Sequence, residues 1–514
     1  MISSADTQQI PVAQSSVPVR IYGAAVFVIA LTLVRIATAA WLPLSFDESY
    51  FWLWSKRLAI SYFEHPPLIA FAIRAGTILL GDTELGVRLA SLCASVAASW
   101  AVWRTGLIFF NEERQAWTAC AFFNATLMVA SQGMAATPDI FVMAAAAFLV
   151  LAIAELQQSH DGRWWLAAGL ALGVAMLTKY TAFFLALSLC VWTLASRPGR
   201  RWLTSPWPYL AAFLALICLV PNVVWNEAHD WMSFKYQFGR VVAGKAGLQH
   251  VLEFIGAQMA LASPLILLLA AIGLIRNSRP SAWSDPLAII VALIWPALVY
   301  FGIHAFHDRV QGNWPSFIYP AAAILAASVP RQSKRHVRII EACQRYALPL
   351  ATAILAAAYV QAWTGLLPLG KADPIARMTA VGFEPVAKEI SAIARFENSA
   401  ALVTTRYVTS GWLAFYTRPQ LPVLQVTEGY RWSSAPKGPS AILHKPLLYI
   451  TQHPERELRD ISPYFANVGL RACIPRIRNG IVIDTFCVYS LRGLRRAPGF
   501  NARWVNGDAA PPSG

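Results

Sequence analysis

The chain has little charge for its length: Asp, Glu, Lys and Arg make up 13% of 514 residues, against 57% hydrophobic residues. With a mean hydropathy of +0.47, that scarcity excludes an ordinary soluble globular protein, in which about a quarter of residues are charged. Acids are scarcer than bases, 27 to 42, which leaves a net charge of +15. Nucleic acid is not the implied partner, because the sequence lacks a polar basic domain with interleaved aromatics and its arginines cluster between apolar runs. The short, strictly alternating segments of a membrane β-barrel are missing too. No small-residue cleavage site follows the first apolar run, so residues 1–20 read as a cytoplasmic tail before an uncleaved helix.

Cysteine is also sparse, with seven in the chain. Cys93, Cys120, Cys190, Cys218 and Cys343 lie in or beside apolar runs without metal-ligand spacing and read as packing residues. Cys473 and Cys487 instead flank a polar turn, Arg476 to Gly480, in a stretch patterned as a β-hairpin. A disulfide, which an oxidising compartment permits, and two unpaired buried thiols both remain open.

What the chain has in abundance is apolar runs. Ile21 to Leu44, Leu252 to Ile275 and Ala347 to Leu367 are each long enough to cross about 30 Å of hydrocarbon. Counting such runs gives about eleven spans, centred near Val28, Ala97, Phe123, Phe148, Ala171, Leu187, Leu216, Pro264, Leu293, Ala322 and Leu355. The expected fold is an all-α polytopic bundle over residues 21–367, with Pro66 to Leu80 as a shorter interfacial helix. Residues 368–495 change to period-two patches, Ala401 to Thr404, Pro446 to Ile450 and Ile481 to Ser490, and are expected to form a small α/β domain. Residues 496–514 read as a disordered tail.

The connecting segments sort into two kinds. Arg197 to Arg201, Arg276 to Arg279 and Arg331 to Arg345 are basic and otherwise featureless, hence cytoplasmic by the positive-inside rule. Phe46 to Pro67, Gln132 to Asp139, Thr178 to Tyr180, Asn222 to Arg240 and His304 to Trp314 hold acids, histidines, prolines and tryptophans, and all fall on the opposite, periplasmic face. Five such loops on one face imply an active site. An odd number of spans puts the C-terminal domain on that face as well, although nothing in its sequence reads as catalytic.

Two acids, Asp47 and Glu48, stand where a span ends, which is costly unless they face water or a partner. As helix neighbours they point about 100° apart, so one faces a reacting centre while the other is free to cap the helix. Asp139, after Pro138, has the same two readings. Lys179, Arg240 and Arg309 are the cations placed to meet a phosphate, Arg309 with bidentate geometry and Lys179 with membrane snorkelling as its alternative. Glu64 and His65 lack a clear third ligand, so no metal or other cofactor is expected. Trp52, Trp225, Trp231 and Trp314 suit either sugar stacking or an interfacial belt.

The runs Asp47-Glu48-Ser49-Tyr50-Phe51-Trp52 and Tyr62-Phe63-Glu64-His65-Pro66-Pro67 carry a resemblance, as do Ala136-Thr137-Pro138-Asp139, Leu177-Thr178-Lys179-Tyr180, Pro221-Asn222-Val223-Val224-Trp225-Asn226 and Gly312-Asn313-Trp314-Pro315. In this order, through residues 20–330, they resemble the GT-C glycosyltransferases related to the aminoarabinose transferase of lipid A and to protein O-mannosyltransferases. The resemblance implies a GT-C fold in the bacterial inner membrane, a polyprenyl-phosphate sugar donor and an inverting displacement. It makes Asp47 the general base, with Glu48 and Asp139 as further catalytic acids. Tyr50, Glu64, His65, Lys179, Tyr180, Arg240, Arg309, Asn313 and Trp314 become donor-phosphate or substrate ligands. Where the aminoarabinose transferases resemble Phe-Glu-Lys-Pro, this chain has Phe63-Glu64-His65-Pro66, which argues against aminoarabinose and suggests a uronic acid. The expected acceptor is an envelope glycolipid, lipid A or lipopolysaccharide core, with a protein Ser or Thr as the alternative. A lipid-linked sugar transporter is disfavoured, because no internal repeat appears and Arg35 is the one clear charge inside a span.

Overall fold

The computed structural model describes residues 17–242, 247–330, 337–417, 421–438, 440–495 and 502–506. Residues 1–16 of the expected tail, 496–501 and 507–514, and Lys334 and Arg335 of the third basic segment lie outside them. Within the expected disordered tail, residues 502–506 are instead ordered, because Arg503–Trp504 pairs with Val423–Gln425 and Trp504 is buried. Helix begins at Val17, inside the expected tail.

Among the described residues, six helices are long and apolar enough to cross a membrane: Gly23–Trp41, Glu84–Phe110, Pro138–Ser159, Trp207–Ala228, Ala288–Ala305 and Arg338–Thr364. The expected span around Pro264 is a pair, Leu248–Ala262 and Pro264–Asn277, bent by 104°. Its cause is local: Ser263 adopts φ +67°, and Pro264 has no N–H with which to continue the ladder. Shorter apolar helices occupy Leu68–Leu80, Trp164–Met176, Tyr180–Ala195 and Ser316–Ser328. The run centred on Phe123 breaks into Glu113–Asn124 and Leu127–Gln132. Arg35 serves that break, donating from its two terminal nitrogens to Asn124 Oδ1 at 2.8 Å and Asn124 O at 2.9 Å. The charge inside the first span thus satisfies backbone that a continuous helix would satisfy itself.

Helix Pro138–Ser159 gives the bundle its polarity. Its far end meets the basic loops, where Gln157 donates to Pro286 O at 3.3 Å and Arg201 lies 2.9 Å from His160 Nδ1. Its first turn holds Asp139, which gathers the loops rich in acids and amides. Among the described residues, the first two basic loops and the loops gathered at Asp139 therefore meet opposite ends of this helix.

The C-terminal sheet is built from β1 (Ala401–Thr404), β2 (Val423–Gln425), β3 (Leu447–Thr451), β4 (Phe465–Arg478), β5 (Ile481–Leu494) and β6 (Arg503–Trp504), in the order β4-β5-β3-β1-β2-β6. β3, β1 and β2 run parallel and are buried throughout, while β5, β4 and β6 join antiparallel. The β4–β5 hairpin turns on Asn479-Gly480, both at positive φ (49° and 79°), as a two-residue turn matched to strand twist requires. Cys473 and Cys487 face each other across it and form a disulfide.

Two contacts dock this domain on the bundle. At the hairpin tip, Arg478 donates to Gln361 O at 2.7 Å and Ala362 O at 2.6 Å, and Asn479 donates to Thr364 O at 2.6 Å. These satisfy the carbonyls left open where the last long helix, Val337–Thr364, ends. On the other side, helix Tyr407–Tyr416 lies on helix Phe46–Lys56 so closely that a Cβ on Gly411 would stand 2.5 Å from Ser49 Oγ. Gly411→Val is expected to cost about 1–3 kcal/mol by overpacking and to expose the C-terminal domain to limited proteolysis. The same change at Gly256, where a Cβ meets nothing within 4 Å, serves as the tolerated control; equal protease resistance of both variants would remove Gly411 from the docking contact.

Candidate active site

The site starts from a short sequence device. Ser45-Phe46-Asp47-Glu48 closes a capping box: Ser45 Oγ accepts from Glu48 N at 3.2 Å, and Glu48 Oε2 accepts from Ser45 N at 2.8 Å. Glu48 is buried. Its carboxylate also accepts from Arg88 Nε (2.6 Å), Arg88 Nη2 (2.8 Å) and Ala136 N (2.9 Å). Burial alone would raise its pKa, but the Arg88 charge and these donors outweigh it and hold Glu48 below the ordinary carboxylate range. Expected among the catalytic acids, Glu48 has both oxygens committed to the scaffold, and the capping alternative describes its geometry.

Asp47, one residue earlier, points elsewhere and is only partly buried. Burial, then the charges of Asp139 and Glu48, push its carboxyl up to about 6, against the opposing pull of Arg431 and the Tyr407 hydroxyl. Asp139 is itself buried, with Lys179 Nζ at 2.7 Å and Ser316 Oγ at 2.8 Å from Oδ1, and Asn313 Nδ2 at 2.9 Å from Oδ2. Three of the sequence motifs meet at this one carboxylate. Lys179 is buried in the ion pair, so the snorkelling alternative does not describe it.

Glu64 accepts from Tyr50 Oη at 2.6 Å and forms an ion pair with Arg431. Arg431 lies 4.4 Å from the Tyr407 ring centroid and 3.3 Å from Glu428. Tyr50 packs 5.0 Å from both Tyr407 and Trp432. His65 stands edge-on to Phe51 at 5.8 Å. Tyr180 Oη accepts from Asn222 Nδ2 at 3.1 Å, and the same amide donates to Ser61 at 2.7 Å, so the Pro221-Asn222 run is drawn in as well. Trp314 lies 5.6 Å from His304. Arg309 faces outward: its side chain is 75% exposed and lies 3.5 Å from Glu253, apart from the Asp139 network. The Arg240 side chain lies outside the described residues.

Arg431, Tyr407 and Glu428 come from the C-terminal domain, whose sequence carries no catalytic signal; the structure sets Arg431 and Tyr407 against the first loop, with Glu428 behind them. The only local signal is an arginine set between aromatics in Tyr430-Arg431-Trp432. Among the described residues, no three or more His, Cys, Asp or Glu side chains group as metal ligands. The assembly can take a proton at Asp47 and offers cations to an anion beside it. Glu48→Gln would leave the buried Arg88 without its counter-charge, at a cost of about 3–5 kcal/mol. Asp47→Asn removes a carboxylate disfavoured by its neighbours and is expected to preserve or raise the Tm. Thermal unfolding in detergent separates the two; an unchanged Tm for Glu48→Gln would contradict the anchoring role.

Residues 64–225 match the family model described as dolichyl-phosphate-mannose-protein mannosyltransferase. The lipid A galacturonosyltransferase RgtD of Rhizobium johnstonii is 27% identical over 283 residues, 54% of this chain and 59% of that protein. An undecaprenyl phosphate-alpha-4-amino-4-deoxy-L-arabinose arabinosyl transferase of Sodalis glossinidius is 24% identical over 406 residues, 75% of this chain and 65% of the relative. The chain therefore spans about three-fifths of the length of these two curated relatives. In fold it is similar to ArnT from Cupriavidus metallidurans bound to undecaprenyl phosphate, with a TM-score of 0.62 at 16% identity over 92% of this chain and 99% of that one. The apo form gives a TM-score of 0.60. Sequence and fold agree: the chain resembles the GT-C polyprenyl-phosphate-sugar glycosyltransferases of the aminoarabinose-transferase type.

Proposed function

We propose that the chain is an inverting glycosyltransferase that moves a sugar from a polyprenyl-phosphate donor to lipid A or lipopolysaccharide core in the bacterial inner membrane. The observation that carries this reading is Asp47, a carboxyl raised to about 6, beside the Asp139, Lys179 and Asn313 cluster that the motifs build. Asp47 takes the proton of the acceptor hydroxyl as its oxygen attacks the anomeric carbon. The bond from that carbon to the phosphate oxygen breaks with its electron pair, and the configuration inverts. Asp139 holds Lys179 in place; an ammonium has three donors, and those not used by Asp139 serve the leaving phosphate. Tyr50, Glu64 and Arg431 line the sugar side. His65, Tyr180, Asn313 and Trp314 complete the donor site.

The donor sugar is read as a uronic acid. The galacturonosyltransferase relative, the departure at His65 and the placement of Arg431 near Asp47 support it, since a sugar carboxylate suits a guanidinium. For topology, eleven crossings are reached by adding to the six long helices and the bent pair the three shorter helices from Trp164 onward and the broken Glu113–Gln132 run as spans of their own. On that count, and with the basic loops read as cytoplasmic by the positive-inside rule, we read Asp47 and the C-terminal domain as lying on the periplasmic side.

Mass spectrometry of envelope lipids is expected to show a hexuronic-acid increment that is lost on deletion of the gene and not restored by Asp47→Asn; restoration by that variant would rule out Asp47 as the base. In vitro, transfer should fall as pH drops below about 6, because protonated Asp47 cannot accept a proton. Transfer of only a neutral sugar from defined polyprenyl-phosphate donors would reject the uronic acid.

A further inference from the structure

The C-terminal sheet carries a second cavity. Parallel strands β3, β1 and β2 end side by side at Thr451, Thr404 and Gln425. From β1 the chain leads to β2 on one side, and from β3 it leads to β4 and β5 on the other. Open α/β sheets bind ligands in the crevice that such a reversal leaves outside the carboxyl ends of the strands. Here the crevice is a cavity of about 660 Å³ whose lining includes Arg406, Glu428, His453, Arg456, Glu457 and Arg459.

The charges in that lining are unequally spent. Glu457 Oε2 accepts from the hydroxyls of Thr405 at 2.9 Å and Thr451 at 2.6 Å, tying the ends of β1 and β3 together. Glu428 accepts from Tyr407 N at 2.7 Å and faces Arg431 at 3.3 Å. Asp460 is the remaining acid. Arg406 comes only within 3.9 Å of Glu457. The guanidinium groups of Arg456 and Arg459 enter no ion pair or hydrogen bond among the described residues, and both residues are exposed. Glu428 and Glu457 are thus engaged in the floor, while Arg456, Arg459 and the exposed Asp460 are left on the rim. Helix Pro454–Ile461 carries both arginines at the same edge.

The cavity also adjoins the transfer site. Arg406 precedes Tyr407, which packs on Phe46 and Tyr50 of the first loop, and Glu428 pairs with Arg431, which reaches Glu64 of that loop. Resting on the transferase reading above, we propose that this cleft binds the phosphorylated saccharide headgroup of the acceptor, with Arg456 and Arg459 gripping phosphate and the polar floor of Thr405, Thr427 and Glu457 meeting the sugar. The acceptor is then held by the C-terminal domain while the donor is held by the bundle, and Asp47 lies between the two.

The test uses the full chain in detergent and compares the wild type with Arg456→Glu/Arg459→Glu and Arg456→Lys/Arg459→Lys. Equilibrium binding is measured for diphosphorylated lipid A, dephosphorylated lipid A, phosphatidylglycerol, inorganic phosphate and undecaprenyl phosphate. The wild type is expected to prefer the diphosphorylated over the dephosphorylated lipid by about tenfold or more. The glutamate pair loses that preference, the lysine pair keeps part of it, and undecaprenyl phosphate binding is unchanged in all three. Unaltered lipid A binding by the glutamate pair overturns the cleft. Equal wild-type affinity for phosphatidylglycerol or inorganic phosphate overturns it too, as an unselective basic surface. A wild type that binds neither lipid A nor undecaprenyl phosphate overturns the transferase reading itself, and the cleft's role with it.

Discussion

The buried pair of Glu48 and Arg88 is the joint on which the site depends. Arg88 clasps the Glu48 carboxylate and also donates to Ala39 O at 2.9 Å, Leu42 O at 2.5 Å and Pro43 O at 3.2 Å, where the first helix ends. Glu48 in turn holds Ala136 N, three residues before Asp139. Three stretches distant in sequence, 39–48, Arg88 and Ala136, are therefore fixed by one ion pair. Its charges are affordable in the interior because nearly every donor and acceptor is matched, the condition under which a buried pair is tolerated. Asp47 and Asp139 take their places from this joint, one on each of the segments it ties.

Adjacent carboxylates at 47 and 48 then acquire opposite properties. Glu48 is surrounded by donors and held ionised, whereas Asp47 is desolvated beside other negative charge and rises to about 6. Environment has divided two like groups into a support and a titrating acid, as it does wherever paired carboxylates serve different tasks. The C-terminal domain contributes to that division, since the Tyr407 hydroxyl and Arg431 both lower the Asp47 pKa. Docking through Gly411 and through the Arg478 cap thus helps set the surroundings of Asp47 in the first loop. The disulfide between Cys473 and Cys487 lies in the hairpin that carries the cap.

The irregularities of the bundle follow the same logic. A bend at Ser263-Pro264 and a break after Asn124 interrupt runs that are apolar enough to continue. Broken helices at membrane depth require their freed backbone groups to be met by protein. Arg35 does this at Asn124, which explains an intramembrane charge without assigning it to a transport pathway.

By itself the sequence determined the class of fold, the two kinds of loop and the ordered motifs, because hydropathy, turn residues and charge placement act over windows of a few to twenty residues. The hairpin was legible for the same reason, through Asn479-Gly480 between alternating strands. Which acid titrates near neutrality was not legible: Asp47 and Glu48 differ through Arg88, Ala136 and Asp139, which lie 40 to 92 positions away along the chain. Nor were the roles of Arg431 and Tyr407, more than 350 residues beyond Asp47, or the outward turn of Arg309. Only the tertiary structure decided these, because electrostatic environment and desolvation depend on distance in space, and no local pattern encodes a neighbour brought in by the packing of another domain.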